Sequence, residues 1–164
     1  FWLKQARDVN DFMIAQPISE DHWHSYVFSM LARLDALTET DKLYARQIAD
    51  VIIAGEVRSL HPSNSSISSA TKVEALSALA QAFYLSDTDH KWLDPEIRTF
   101  ITFVQARQLP GNNCGWTIPA ETAANFGGGI FSSCEEPTIR VDGLQNWING
   151  ATTYLEYQSM INEK

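Results

Sequence analysis

The chain has 164 residues, 45% of them hydrophobic, and a net charge of −8 from 20 acidic and 12 basic residues. This length suits one domain over residues 1–164 and lets a chain bury a core without metals or staples. No run of Lys and Arg is present, so we expect neither nucleic acid nor an anionic membrane surface as a partner. No segment approaches the roughly 20 apolar residues that span a bilayer, which predicts no membrane insertion.

Six segments show the apolar spacing of amphipathic helices. In chain order they cover about residues 1–16, 19–34, 41–54, 68–85, 94–109 and 139–155. Pro17 ends the first, Ser19 is the expected N-cap of the second, and Gly55 follows the third. The side chains expected to face the core include Trp2 and Val9 in the first helix, Trp23, Met30 and Leu34 in the second, and Val141, Ile148 and Leu155 in the last.

Residues 112–138 interrupt this pattern and are predicted to form a long, glycine-rich loop, a kind of segment that is often functional. The loop contains both cysteines, Cys114 and Cys134. A disulfide between them would indicate a periplasmic or extracellular protein, whereas two thiols would indicate a cytoplasmic one. No zinc-type spacing of Cys and His accompanies them. We therefore predict no metal site and no cofactor.

The lengths of the links predict how the helices are arranged. Short links join the second helix to the third and the fourth to the fifth. Long links join the third helix to the fourth and the fifth to the sixth. Alternate links of antiparallel hairpins lie at opposite ends, so the N-termini of the second, fourth and sixth helices share one end. An all-α fold of antiparallel hairpins, arranged as a partial (α/α) toroid, is the prediction.

Two motifs resemble known toroid proteins. The segment TKVEALSAL at 71–79, followed by residues 87–89 and 92–93, resembles the repeated hairpin of six-hairpin glycosidases and related sugar epimerases. The segments GGGI at 127–130 and EPTIRVDGLQ at 136–145 resemble the closing helix of toroid proteins found with bacterial polysaccharide biosynthesis.

This resemblance covers about Glu20 to the C-terminus. It implies either that the chain is the C-terminal part of a larger toroid, whose remainder is then a partner, or that the chain forms an open, smaller array of hairpins. The chain also begins at Phe1 inside an apolar pattern, which we interpret as the start of a fragment or a processed product. A glycan or sugar derivative is the implied ligand, bound at the end of the cavity where the three helix N-termini meet.

Two carboxylates are candidates for catalysis at that rim, Asp142 and Glu74, because a carboxylate pair can act as general acid and base on a glycosidic bond. Each has a structural alternative. An acid near a helix start, such as Asp142, stabilises the helix dipole. Glu74 fits equally well as an exposed residue on a helix face, where it would pair with a side chain one turn away.

Five residues are candidates for substrate binding: Arg140, Gln145, His22, His24 and Trp116. Arg140 could clamp a carboxylate or phosphate, or form a structural ion pair. Gln145 lies on the same helical face as Asp142. His22 and His24 point to different sides of a helix, so one can line the cavity while the other is solvated. Trp116 could stack on a sugar from the glycine-rich loop.

Two other functions compete with the carbohydrate hypothesis. A non-catalytic helical scaffold or protein-binding module would need only a conserved apolar face. A terpenoid cyclase or prenyltransferase toroid would need an acid-rich motif of the Asp-x-Asp-Asp type, which the sequence lacks, so we rank it last.

Overall fold

The computed structural model describes residues 1–18, 22–55, 65–111 and 114–163. The fold of these residues is all-α, as predicted. The helices are α1 (Trp2–Ile14), α2 (His22–Arg33), α3 (Glu39–Ala54), α4 (Ser66–Leu85), α5 (Leu93–Gln105), α6 (Ala120–Asn125) and α7 (Val141–Asn162). Extended pairing in this part of the chain is limited to two isolated bridges, Gln108–Ile130 and Phe131–Ile139. The expected N-cap Ser19 lies outside the described residues.

Helix α4 lies between α2 and α7, and the three helices run parallel. Tyr26 of α2 bonds to Glu74, while Ser29, one turn further on, bonds to Gln81. On the other side, Asn146 near the start of α7 bonds to Thr71, and Tyr84 bonds to the carbonyl of Met160 near its end. The N-termini of these three helices therefore share one end of the molecule, which is the arrangement that the link lengths predicted.

The other long helices pack outside this parallel row. Asp94 at the start of α5 accepts hydrogen bonds from Tyr154 and Gln158 near the end of α7, so α5 runs antiparallel to α7. Helix α1 joins α3 through a hydrogen bond from Asn10 to Asp41. The resulting core is centred on α4, in which every residue from 72 to 83 is buried. A helix with apolar residues around most of its circumference is expected at the centre of a fold.

The long loop differs from the prediction in one respect, because it contains the short helix α6. Six residues are too few for a helical period to be recognised in the sequence. Cys114 and Cys134 form a disulfide within this loop. The loop packs at the start of α4, where the backbone N–H of Ser66 donates to the carbonyl of Ser132 at 2.7 Å. It therefore lies at the end of the molecule where α2, α4 and α7 begin.

No described helix is long and apolar enough to cross a bilayer. Several side chains expected in the core are instead on the surface, so those predictions are wrong. The exposed residues are Trp2, Val9, Trp23, Met30, Leu34, Val141, Ile148 and Leu155. Small residues face α4 in their place, namely Ser25 and Ser29 on α2 and Gly143 and Gly150 on α7. Small side chains allow close helix packing, which turns the large apolar side chains of α2 and α7 outward.

Candidate functional site

An open groove of about 670 Å³ lies over α4, between α2 and α7. Its lining from α2 is Trp23, Tyr26, Val27 and Met30, its lining from α7 is Asn149, Thr152 and Thr153, and α4 contributes Glu74. We call this the Glu74 groove. Its walls are mostly apolar, with a few polar groups, which is the usual make-up of a small-molecule site.

Gly150 sets the approach of α7 to α4 beside Glu74. A Cβ atom added at Gly150 would lie 2.9 Å from the backbone N of Glu74 and 3.2 Å from its Cα. A larger residue would therefore collide with backbone that cannot rotate away. Because glycine stands here, its neighbour Asn149 reaches Glu74 and the groove has its present depth.

The carboxylate of Glu74 is buried but only partly hydrogen-bonded. The residue is 1% exposed. Its Oε1 accepts a hydrogen bond from the Tyr26 hydroxyl at 2.6 Å and another from Asn149 Nδ2 at 3.2 Å. Its Oε2 accepts no hydrogen bond from the described residues, and His22 Nε2 is 4.0 Å away. A buried carboxylate oxygen without a donor is costly, so Oε2 is an atom of this groove whose hydrogen-bonding capacity is unused by the described residues.

Tyr26 is held in its protonated, donating form. Burial raises the pKa of the Tyr26 hydroxyl, and the hydrogen bond and negative charge of Glu74 raise it further. The phenol therefore stays neutral at physiological pH, and its ring forms part of the groove wall. The Tyr26–Glu74 pair fixes the side of the groove that belongs to α2.

A polar network ties α2 to α7 beyond one end of the groove. The buried Gln81 lies seven residues after Glu74 and so on the same face of α4. Its Oε1 accepts from Ser29 and from Arg33, both at 3.0 Å, and its Nε2 donates to the carbonyl of Thr153 at 2.9 Å. Arg33 also pairs with Glu156 at 3.3 Å. These contacts hold the two walls at a constant separation.

The two predicted catalytic carboxylates are not brought together. Asp142 is exposed and pairs with Arg140 at 2.6 Å. The hydrogen bond from Arg140 holds the pKa of Asp142 below its ordinary value. Asp142 precedes Asn149 by two helical turns, or about 10 Å along the axis. Glu74, in contrast, is buried at the groove, so the interpretation of Glu74 as an exposed helix-face residue is wrong.

The other predicted binding residues are dispersed. His22 lies next to the groove through its contact with Glu74. His24 is on the opposite side of α2, as predicted, but it is buried rather than solvated. It stacks on Phe28 and contacts Asn10 Oδ1 at 3.1 Å. Gln145 is exposed, outside the Glu74 groove, on a shallow apolar surface of α7.

Trp116 packs in the loop, edge-on against Phe131 with a centroid separation of 4.9 Å. It does not line the Glu74 groove. Three residues that build the groove were not among the predicted site residues, namely Tyr26, Asn149 and Gly150. The seven-residue spacing of Asn149 from Asp142 was the only available signal, and it has no meaning until α7 is packed on α4.

Across the described ranges, no cluster of three His, Cys, Asp or Glu side chains could hold a metal ion. Comparison of the chain with family models, with curated proteins and with solved structures finds no match in any of the three.

Proposed function

We propose that the chain binds a glycan or sugar derivative in the Glu74 groove. The observation on which this proposal rests is the buried carboxylate of Glu74, whose Oε2 has no donor among the described residues, in a groove walled by aromatic side chains. A sugar ring offers hydroxyl donors along its edge and an apolar face. The groove offers a carboxylate acceptor together with the rings of Trp23 and Tyr26.

The surroundings of Glu74 match this ligand class. Asn149 has an amide that both donates and accepts, and Thr152 and Thr153 add polar groups to the same wall. Trp23 is 60% exposed, so much of its surface remains available for stacking. A flat aromatic side chain beside a few polar groups suits a ligand with one apolar face and a hydroxylated rim.

The geometry supports binding rather than hydrolysis by two carboxylates. That mechanism needs a second carboxylate within roughly 5–9.5 Å of the first. Glu74 is the one acid among the residues that line the groove in the described structure. Asp142 remains the sequence-based candidate for a second acid, but it is paired with Arg140 and exposed.

Two further features support the wider setting of this proposal. The parallel α2, α4 and α7, with antiparallel helices outside them, suit a partial (α/α) toroid. The Cys114–Cys134 disulfide supports an oxidising compartment, because disulfides are rare in cytosolic proteins. Polysaccharides outside the cytoplasm would be the accessible ligands there.

Calorimetric titration with neutral, acidic and amino-sugar oligosaccharides tests the proposal. We expect at least one class to bind, and Trp23→Ala to weaken that binding roughly tenfold because stacking on an aromatic face is lost. Trp2→Ala is the matched control, since Trp2 is also exposed but lies on α1 outside the groove. Absence of binding by every class, or equal binding by Trp23→Ala, would reject the glycan proposal.

The scaffold hypothesis is supported by a separate surface. Val141, Ile148 and Leu155 are exposed on α7 at intervals of seven residues. This is the spacing with which one helix packs along another. An amphipathic helix of another protein, or of the toroid remainder, is the occupant that fits. Replacing all three residues by Ser should abolish the capture of such a helix in a titration while leaving glycan binding unchanged.

A further inference from the structure

The charge of the Glu74 groove selects among sugar derivatives. We propose that its ligand is cationic, an amino sugar whose ammonium group pairs with the carboxylate of Glu74. This inference rests on the proposed function and narrows it to glycans that carry unacetylated amines.

The first argument is the unbalanced charge at Glu74. Both donors to its carboxylate, Tyr26 and Asn149, are neutral. The nearest basic group in the described structure is His22, at 4.0 Å from Oε2, which is beyond hydrogen-bonding distance. Arg33, further along α2, is engaged by Gln81 and Glu156. A buried carboxylate that lacks a close cation is stabilised by a ligand that supplies one.

The second argument comes from the walls. Trp23 and Tyr26 lie 6.3 Å apart between ring centroids, tilted at 43°. Aromatic faces attract cations through the negative face of the ring. Met30, exposed at the same wall, adds a polarizable and flexible side chain that can adapt to a ligand. An anionic sugar would instead meet the charge of Glu74, and the whole chain has a net charge of −8.

The position of Oε2 explains why the selection depends on an ammonium group rather than on a bulky base. Oε2 has almost no solvent-exposed surface, so a ligand reaches it only by displacing a neighbouring side chain, and the group that enters must be small and must carry its donors at its tip. A primary ammonium has three N–H donors on a compact head and meets this requirement. A planar guanidinium is larger and needs two accessible oxygens for its preferred bidentate geometry.

A pair of oligosaccharides that differ only in N-acetylation provides the test, and the Glu74→Gln variant separates the effect of the ammonium charge from that of the acetyl group. Oligomers of glucosamine and of N-acetylglucosamine, of equal length and linkage, are titrated at a pH at which the amines are protonated. We expect the glucosamine oligomer to bind about tenfold more tightly, an advantage that falls as salt is added. Glu74→Gln keeps an acceptor for Tyr26 and Asn149, and it should bring the ratio of the two binding constants close to one.

Glu163→Gln is the matched control, because it removes the same charge from an exposed position at the end of α7. It should leave the ratio between the two oligomers as it is in the parent protein. Equal binding of the two oligomers, or an unchanged ratio in Glu74→Gln, would overturn the inference while the glycan proposal stands. If no oligosaccharide of any class bound, the glycan proposal and this inference would both be rejected.

Discussion

Asp41 and Glu74 are both fully buried carboxylates, but their surroundings differ in one respect. Asp41 receives hydrogen bonds on both oxygens, from Arg7, Asn10 and Thr38. Glu74 receives them on one oxygen only, from two neutral donors. Burial by itself therefore does not mark a functional acid. The number of donors that the protein supplies separates a carboxylate that stabilises the fold from one that is available to a ligand.

The Asp41 cluster is a self-sufficient structural unit. Asp41 closes a capping box with Thr38 at the start of α3, and its partner Asn10 also contacts His24. Burial alone would raise the pKa of Asp41, but the hydrogen bonds from Arg7 and Thr38 outweigh it and hold that pKa below its ordinary value. The cluster thus joins α1, α2 and α3, and it leaves no donor or acceptor for a ligand.

The largest effect should come from removing the saturated carboxylate. Asp41→Asn should lower the free energy of unfolding by about 3 kcal/mol at neutral pH, since it removes the buried charge partner of Arg7 and leaves only the exposed Asp11 beside it. Because the pKa of Asp41 is lowered in the folded protein, its stabilisation is complete above the ordinary Asp value of about 3.9. It is lost as the pH falls through the lower folded value.

Urea unfolding of Asp41→Asn and of the parent protein, at neutral and at acidic pH, tests both the size of the loss and its pH dependence. The difference in unfolding free energy between the two proteins should shrink toward acidic pH. Asp50→Asn is the control, because Asp50 forms an exposed pair with Arg46 and should cost less than about 1 kcal/mol. If the difference in unfolding free energy between Asp41→Asn and the parent protein stayed constant with pH, the structural role assigned to Asp41 would be contradicted.

Gly150→Ala should have the next largest effect, a loss of about 2 kcal/mol, because the new Cβ meets the backbone of Glu74. Alanine otherwise favours a helix over glycine by about 1 kcal/mol, so the sign of the change is informative. Gly143→Ala is the comparison, since its Cβ would lie 2.8 Å from Cγ1 of the Ile67 side chain rather than against backbone. Thermal or urea unfolding measures the stability of both variants. A Gly150→Ala variant at least as stable as the parent protein would show that α7 does not approach α4 closely at Glu74.

Tyr26→Phe should cost about 1.5 kcal/mol, because it removes the closest donor from the Glu74 carboxylate. Combining it with Glu74→Gln gives a double-mutant cycle for the pair. We expect a measurable coupling energy between the two positions by urea unfolding. Because glutamine still accepts from Tyr26, strict additivity would mean that the negative charge of Glu74 adds nothing to the strength of the 2.6 Å hydrogen bond.

The smallest effect should come from Glu74→Gln by itself, a change of less than about 1 kcal/mol in the free energy of unfolding. Glutamine keeps an acceptor for Tyr26 and Asn149 and removes a buried charge that lacks a close cation. Urea unfolding of Glu74→Gln and Asp41→Asn under the same conditions compares the two losses of stability directly. A loss as large as that of Asp41→Asn would erase the distinction between the two carboxylates, and with it the reason to place the site at Glu74.

The sequence by itself determined the all-α class and the positions of the long helices, because apolar periodicity and capping residues are local properties. Link lengths also predicted that α2, α4 and α7 begin at one end. Periodicity failed for the faces of α2 and α7, where Trp23 and Ile148 were expected in the core and are exposed. A stripe of large apolar residues looks the same in a sequence whether it packs on a core or lines a groove.

Only the tertiary structure separated the two candidate carboxylates, because it places Glu74 in the groove and leaves Asp142 exposed. In the sequence both Asp142 and Glu74 were candidates, and the place of Asp142 near a helix start beside Arg140 is a local feature that equally indicates a structural role. The burial of Glu74 depends on α2 and α7 packing on either side of α4, and on Gly150 lying against its backbone. Those contacts join residues 48 to 76 positions apart, and no local pattern along the chain records which distant side chain will donate to which oxygen.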